Sequence, residues 1–230
     1  MSVTIPTKFV ISPPFGGHVC APRCTRILGS YTWNPRPGVV FHTMRTLRPI
    51  NGGWVNRIGL RNCGLQNIQF QDKHIYSLVG LDDGDWEQML QFCPTGLRVE
   101  INLGCPNVHD YGIDFDVLTA YCRKFRVIVK LPPTVTAAMI ARIVLAGADH
   151  LHLCNTLPSP QGGISGRQLQ PMSQALVCSV ARLFPNVTII AGGGIYSPRD
   201  VDAYARAGAD HFSLSTIWFS PWRVPGVLMH

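Results

Sequence analysis

The chain has 230 residues, 46% hydrophobic and 14% charged, enough apolar material for one sizeable core and too little charge for extended disorder. Its formal net charge is +7, yet the 20 Lys and Arg residues form no basic run or basic–aromatic stripe, which argues against a nucleic-acid partner. No apolar run approaches the ~20 residues of a membrane span, and several of the eight cysteines sit in apolar stretches, as free thiols do.

The sequence reads as one domain over residues 1–230 without a secretory leader, so a cytoplasmic location is expected. Lys8 to Ile11 and Ile27 to Trp33 read as the first two strands. Pro35 to Gly64 reads as a long connection of the kind that forms a lid or substrate loop. Ile75 to Gly80 is a third strand and Asp85 to Phe92 a short helix. Leu97 to Ile101 is a further strand, ending in Asn102-Leu103-Gly104-Cys105-Pro106-Asn107. From there strands and helices alternate. Val127 to Leu131 is a strand and Thr136 to Ala146 a helix stopped by Gly147. Asp149 to Cys154 is a strand, Pro171 to Leu183 a helix and Val187 to Ala191 a strand. Ser197 caps a helix over Pro198 to Ala207, and Asp210 to Leu214 is the last strand.

This order requires right-handed crossovers and a parallel sheet, either an open doubly wound sheet or a closed barrel. Polar and glycine motifs recur directly after successive strands. They are Asn102 to Asn107, Lys130, Asn155-Thr156, Gly192-Gly193-Gly194 and Ser215-Thr216. A barrel gathers all such strand ends on one rim, so a (β/α)8 TIM barrel is the expected fold. Only fourteen residues follow Thr216, and the segment Pro13 to Arg26 is brief. The first and last βα units are therefore expected to be short or incomplete. The C-terminal brevity leaves two arrangements open, a trimmed barrel or a wall shared with another chain.

The glycine turn Gly192 to Gly194 exposes bare backbone amides ahead of a helix, and Ser215-Thr216 follows the next strand; together they suit a phosphate. The structural alternative is a tight βα turn. Lys130 ends an apolar strand, where a lysine normally has an anionic or electron-rich partner; a snorkelling rim lysine is the alternative. Cys105 could be a nucleophile, a general base or a packing residue, and its place between Asn102 and Asn107 favours acid–base work. His18, Cys20 and Cys24 lie close together, but no second CxxC or HxxxH completes a set, so no metal is expected.

The stretches Val55 to Asn62, Asn102 to Asn107, Val129 to Leu131, Asn155-Thr156, Gly162 to Gly166, Gly192 to Ile195 and Ser215-Thr216, in this order and spacing, resemble the dihydroorotate dehydrogenase family. The resemblance runs from about Asn34 to Thr216. It implies an FMN-containing barrel that oxidises dihydroorotate to orotate in pyrimidine biosynthesis. It further implies that Cys105 is the general base, as in the soluble class 1 enzymes, while hydride passes to the flavin. Asn56, Gly59 and Leu60 match the loop that contacts the pyrimidine, and Asn102, Asn107, Asn155 and Thr156 match the groups that hold it. Lys130 matches the lysine beside the flavin ring, and Asn102 also lies at the cofactor. Gly166, Gly193, Gly194, Ser215 and Thr216 match the ribityl and phosphate contacts. Relatives take electrons to fumarate, or to NAD through an iron–sulfur subunit, and are commonly homodimers.

Two positions depart from the family pattern: Gly29 stands where a lysine is usual, and Gly104 where serine is usual. Gly104 also matches the Asn-x-Gly-Cys-Pro motif of dihydrouridine synthases, FMN barrels that act on tRNA. Asn155-Thr156 and the glycine motif after it weigh against that alternative. A flavin-binding barrel without turnover is a third reading, motivated by Gly29 and the short ends.

Overall fold

The computed structural model describes residues 2–104 and 113–230. Eight parallel strands close into a barrel. They are β1 (Phe9–Ile11), β2 (Cys24–Tyr31), β5 (Ile75–Leu78), β6 (Arg98–Asn102), β7 (Arg126–Leu131), β8 (His150–Leu153), β11 (Thr188–Gly192) and β12 (His211–Leu214). β1 pairs with both β2 and β12, so this chain closes its own wall and the alternative of a wall shared with another chain falls. The outer layer holds α2 (Asp83–Phe92), α3 (Phe115–Lys124), α4 (Ala137–Leu145), α5 (Gln170–Leu183), α6 (Pro198–Ala207) and α7 (Val224–Leu228). As expected, the end units are short. A single 3-10 turn, Phe15–Gly17, follows β1, while two 3-10 turns and the five-residue α7 follow β12.

The helix starts are set by side chains. Asp82, Asp114, Thr136 and Ser197 each accept a hydrogen bond from a backbone N–H of the first helical turn. Each such cap contributes about 1 kcal/mol. α3 has no counterpart among the sequence-read helices. Its signals are the Asp114 cap, Leu118 and Tyr121 buried three residues apart, and Arg123 and Lys124 in its last turn. β2 begins three residues earlier than the sequence indicates and ends at Tyr31, with a register shift against β5 between Leu28 and Tyr31.

The long connection after β2 is ordered. It forms α1 (Val39–Thr46) and the antiparallel hairpin β3 (Arg48–Ile50) and β4 (Gly53–Asn56). After β8, the strands β9 (Leu157–Ser159) and β10 (Gly162–Gly166) join that hairpin in a four-stranded sheet of order β3-β4-β10-β9. The expected substrate loop and the glycine motif are thereby paired directly, Asn56 opposite Gly163 and Gly53 opposite Gly166.

Strand alternation divides the barrel interior into layers. Val10, Ile27, Ile75, Ile128 and Ile190 form an apolar plug with Val3 and Ile5 of the N-terminal segment. All seven are β-branched, which suits crowded strands. Two residues further along, the plug residues Val10, Ile75 and Ile128 give way to the polar Ser12, Ser77 and Lys130. A second apolar cluster fills the space between the barrel wall and the helices, with Trp86, Tyr121, Phe125 and Tyr204 among its largest members.

Candidate active site

A cleft opens at the C-terminal rim, bounded by Ser12 after β1, Lys130 on β7 and Asn155 and Thr156 after β8. Ser165 and Gly166 reach it from β10. Gly193, Gly194, Ser213, Ser215 and Thr216 complete it from β11 and β12. The rim placement is the one on which (β/α)8 barrels carry chemistry. Of the sequence-read site residues, Lys130, Asn155, Thr156, Gly166, Gly193, Gly194, Ser215 and Thr216 therefore share one cleft. Asn102 joins them by a hydrogen bond, accepting from Asn155 Nδ2 at Oδ1 (2.9 Å). Asn56, Gly59 and Leu60 lie on β4 and the turn beyond it and are not among the cleft's lining residues. Cys105 and Asn107 lie outside the described residues.

The floor of the cleft holds a group that the sequence reading missed. Register places Glu100 beside Ser77, Asn102 beside Lys130, and Lys130 beside His152, all on inward positions. Glu100 is fully buried. Its Oε1 accepts from Ser77 Oγ (2.7 Å) and lies 3.9 Å from Lys130 Nζ. Its Oε2 lies 2.6 Å from His152 Nδ1. Burial alone would raise the Glu100 pKa, but Lys130, His152 and the Ser77 hydroxyl outweigh it, and the net shift is downward. Burial lowers the His152 pKa, against the pull of Glu100. A neutral His152 thus donates from Nδ1 to a carboxylate, and its Nε2 has no partner among the described residues. The available signal was alternation: in β6 the polar Arg98, Glu100 and Asn102 alternate with the apolar Val99 and Ile101.

The polar contacts form one chain. Ser77 spends its only proton on Glu100, so in the 2.9 Å Ser30–Ser77 pair Ser30 is the donor. Asn102 Nδ2 donates to Ser30 (2.9 Å), and Asn155 Nδ2 donates to Asn102. Asn155 Oδ1 in turn accepts from the backbone N–H of Thr156 (2.9 Å). Every donor points toward the buried carboxylate, which fixes the orientation of both carboxamides at the rim.

At Gly29 and Gly104 the backbone of this chain leaves no room for a side chain. Gly29 has φ +117°, and a Cβ there would lie 2.7 Å from the Ser77 carbonyl oxygen. Gly104 has φ +79°, and a Cβ would lie 2.5 Å from Cδ of Pro132. At the other wall, a Cβ on Gly194 would press on the Gly166 carbonyl (2.8 Å). Those glycines therefore let two backbones meet as well as leaving the cleft open. The Thr216 hydroxyl accepts from Tyr196 (2.7 Å), whereas the buried Ser213 hydroxyl has no partner among the described residues. The Cys154 thiol is pushed up to about 11, mainly by burial, and stays protonated. No group of three or more potential metal ligands occurs among the described residues. None of their helices is long and apolar enough to cross a membrane.

The sequence profile of the dihydroorotate dehydrogenase family matches residues 24–226. A Geobacillus kaustophilus protein named dihydroorotate dehydrogenase B (NAD(+)), catalytic subunit, is 30% identical over 216 residues, covering 77% of this chain and 69% of the relative. A Pediococcus pentosaceus protein provisionally named dihydroorotate dehydrogenase A (fumarate) is 29% identical over 226 residues, covering 80% and 72%. The ligand-free crystal structure of the Eimeria tenella enzyme DHODH superposes with a TM-score of 0.68 at 20% identity, covering 99% of this chain and 85% of that one; this likeness speaks for the fold. With residues 24–226 matched by the family profile, the chain belongs to the dihydroorotate dehydrogenase family, a family of oxidoreductases.

Proposed function

We propose that the protein oxidises dihydroorotate to orotate with FMN as its cofactor, as a step of pyrimidine biosynthesis. The observation that carries the reading is the meeting in one cleft of the Lys130 ammonium, a bare-backbone glycine turn and the Ser213 hydroxyl, which has no partner among the described residues. These groups fit a flavin phosphate ester. Gly193, Gly194, Ser215 and Thr216 would hold the phosphate, Gly166 the ribityl chain, and Lys130 and Asn102 the ring.

FMN, when bound, supplies the two-electron acceptor for the hydride that leaves the substrate. The chain's own residues do the rest. Asn102, Asn155 and Thr156 hold the amide edges of the pyrimidine, joined by Asn107 and by Asn56, Gly59 and Leu60 of the ordered connection. The thiolate of Cys105 takes the proton from the carbon next to the one that loses hydride. Lys130 supplies positive charge where negative charge develops, and Glu100 keeps that ammonium in place at the cleft floor.

The relatives named as NAD(+)-type catalytic subunits support an electron-transfer partner subunit, for which the family resemblance implies an iron–sulfur centre, and the fumarate-type relative supports direct use of fumarate. A homodimer in the cytoplasm completes the reading. The test is an anaerobic titration of the FMN-loaded chain with dihydroorotate, following the flavin absorbance. Bleaching is expected in wild type and its loss in Cys105→Ala. Firmly bound flavin that dithionite reduces and dihydroorotate does not would overturn the assignment and direct attention to tRNA uracil or to a non-catalytic role.

A further inference from the structure

We propose that α1 and the arginines around it form a docking surface for an acidic protein chain. None of the eight residues of α1 is buried. Val40, Phe41 and Met44, spaced to share one face, are 69%, 56% and 73% exposed, and Val39 beside them is 42% exposed. An eight-residue helix with no buried face is marginal in water. This one is pinned from its C-terminal end. The Arg48 guanidinium donates to the carbonyls of Met44, Arg45 and Leu47 at 3.1, 2.6 and 2.8 Å. Thr46 Oγ1 accepts from the backbone of Arg57 (3.1 Å). The fold thus holds an apolar helix face out in solvent.

Charge identifies the occupant. Residues 1–71 contain Lys8 and seven arginines and no Asp or Glu, a formal charge of +8, so the remaining residues sum to −1. Arg45 lies on α1, the Arg48 side chain and the Arg57 backbone bond to its last turn, and Arg36 and Arg61 flank its start, Arg61 donating to the Pro37 carbonyl; among the described residues none of the five pairs with a carboxylate. Arg45 lies over the Phe41 ring at 5.8 Å. Residues 34–71 contain no Lys, Asp, Glu, Ser or Ala. These are the residue types depleted at protein–protein interfaces, while Arg, Met and aromatic residues are the enriched ones. An apolar centre with a guanidinium rim calls for a partner with an apolar anchor ringed by carboxylates. A second copy would set like charge against like charge. Nucleic acid would leave the apolar face uncovered. A bilayer surface ordinarily takes a broader apolar face with lysines as well.

The test uses the full chain and a random copolymer of glutamate and tyrosine as an acidic, aromatic polypeptide. Polyglutamate of equal length, phosphatidylglycerol vesicles and single-stranded RNA are the competing probes. The copolymer is expected to bind at least tenfold more tightly than polyglutamate, with binding weakened by salt. Val40→Asp/Met44→Asp and Arg45→Glu should each weaken it about tenfold while thermal unfolding is unchanged, since none of these side chains is buried. Equal binding of polyglutamate, tighter binding of vesicles or RNA, or indifference to the substitutions overturns the proposal. So does a dimer that Val40→Asp/Met44→Asp converts to monomer, which would name a second copy as the occupant.

Discussion

Glu100 Oε2 and His152 Nδ1 lie 2.6 Å apart in the barrel interior, both fully buried, and the other carboxylate oxygen faces Lys130 at 3.9 Å. One carboxylate therefore serves an imidazole, a hydroxyl and an ammonium at once. Removing its charge leaves Lys130 without its only ion-pair partner among the described residues. Breaking a buried pair costs on the order of 3–5 kcal/mol. Glu100→Gln is expected to lower the denaturation midpoint by that order and to slow flavin reduction, because the donor chain through Ser77, Ser30 and Asn102 loses its anionic terminus. Equilibrium unfolding in urea together with stopped-flow reduction checks both. Unchanged stability would mean that the pair contributes nothing net.

Acid should weaken the fold in two stages. The His152 pKa is depressed from 6.5 in the folded protein, chiefly by burial. Between its folded value and 6.5 the unfolded chain binds more protons, so stability rises with pH across that window and is lost as pH falls through it. His211 is shifted the same way, first by burial, and adds to this limb. The Glu100 pKa is depressed below 4.5, because Lys130 and His152 outweigh the upward push of burial. Its contribution is complete above 4.5 and disappears as pH falls toward the folded value. Urea midpoints measured from pH 4 to 8 should therefore plateau above about pH 7, and His152→Gln should flatten the limb that opens below the ordinary histidine value. A midpoint independent of pH in that range would contradict a buried neutral imidazole.

The barrel was legible because its signals are periodic and local: β-branched runs ending in glycine or polar residues, capped helices and one order of alternation. The gathering of Lys130, Asn155, Thr156, Gly193, Gly194, Ser215 and Thr216 at one rim followed, since closure brings every strand end together. The interior charge cluster was harder to read. Glu100, His152 and Lys130 come from three strands, and only register shows that they meet. The connection after β2 was read as a loop because its ordering depends on β10, more than a hundred residues later. Non-local pairing of this kind leaves little trace in either strand alone.

Ser213 offers a prediction with opposite signs for the free and loaded protein. Its buried hydroxyl lines the cleft without a partner among the described residues. An unmade hydrogen bond of a buried hydroxyl costs roughly 1–3 kcal/mol. Ser213→Ala should therefore leave the FMN-free chain as stable as wild type or somewhat more so, and should weaken FMN binding about tenfold, the equivalent of a hydrogen bond to a charged group. Thermal unfolding with and without FMN, plus fluorescence titration of the flavin, separates the two effects. Equal loss of stability in both states would assign Ser213 to packing.

Restoring the family lysine at Gly29 should fail, and the reason is backbone geometry. The position has φ +117°, a conformation that side-chain-bearing residues rarely adopt, and a Cβ would stand 2.7 Å from the Ser77 carbonyl oxygen. Relieving that contact means moving β2 away from β5 next to Ser30 and Ser77, the two hydroxyls that carry the donor chain to Glu100. Gly29→Lys is expected to cost at least about 1–3 kcal/mol from the backbone conformation alone. It should also lower affinity for orotate through the displaced Asn102, with no gain in rate. Gly29→Ala should show the same direction without the added charge, which separates strain from electrostatics. Were Gly29→Lys to fold normally and speed flavin reduction while Gly29→Ala did not, the barrel would be able to accommodate a second cation at this rim and the steric account of Gly29 would be wrong.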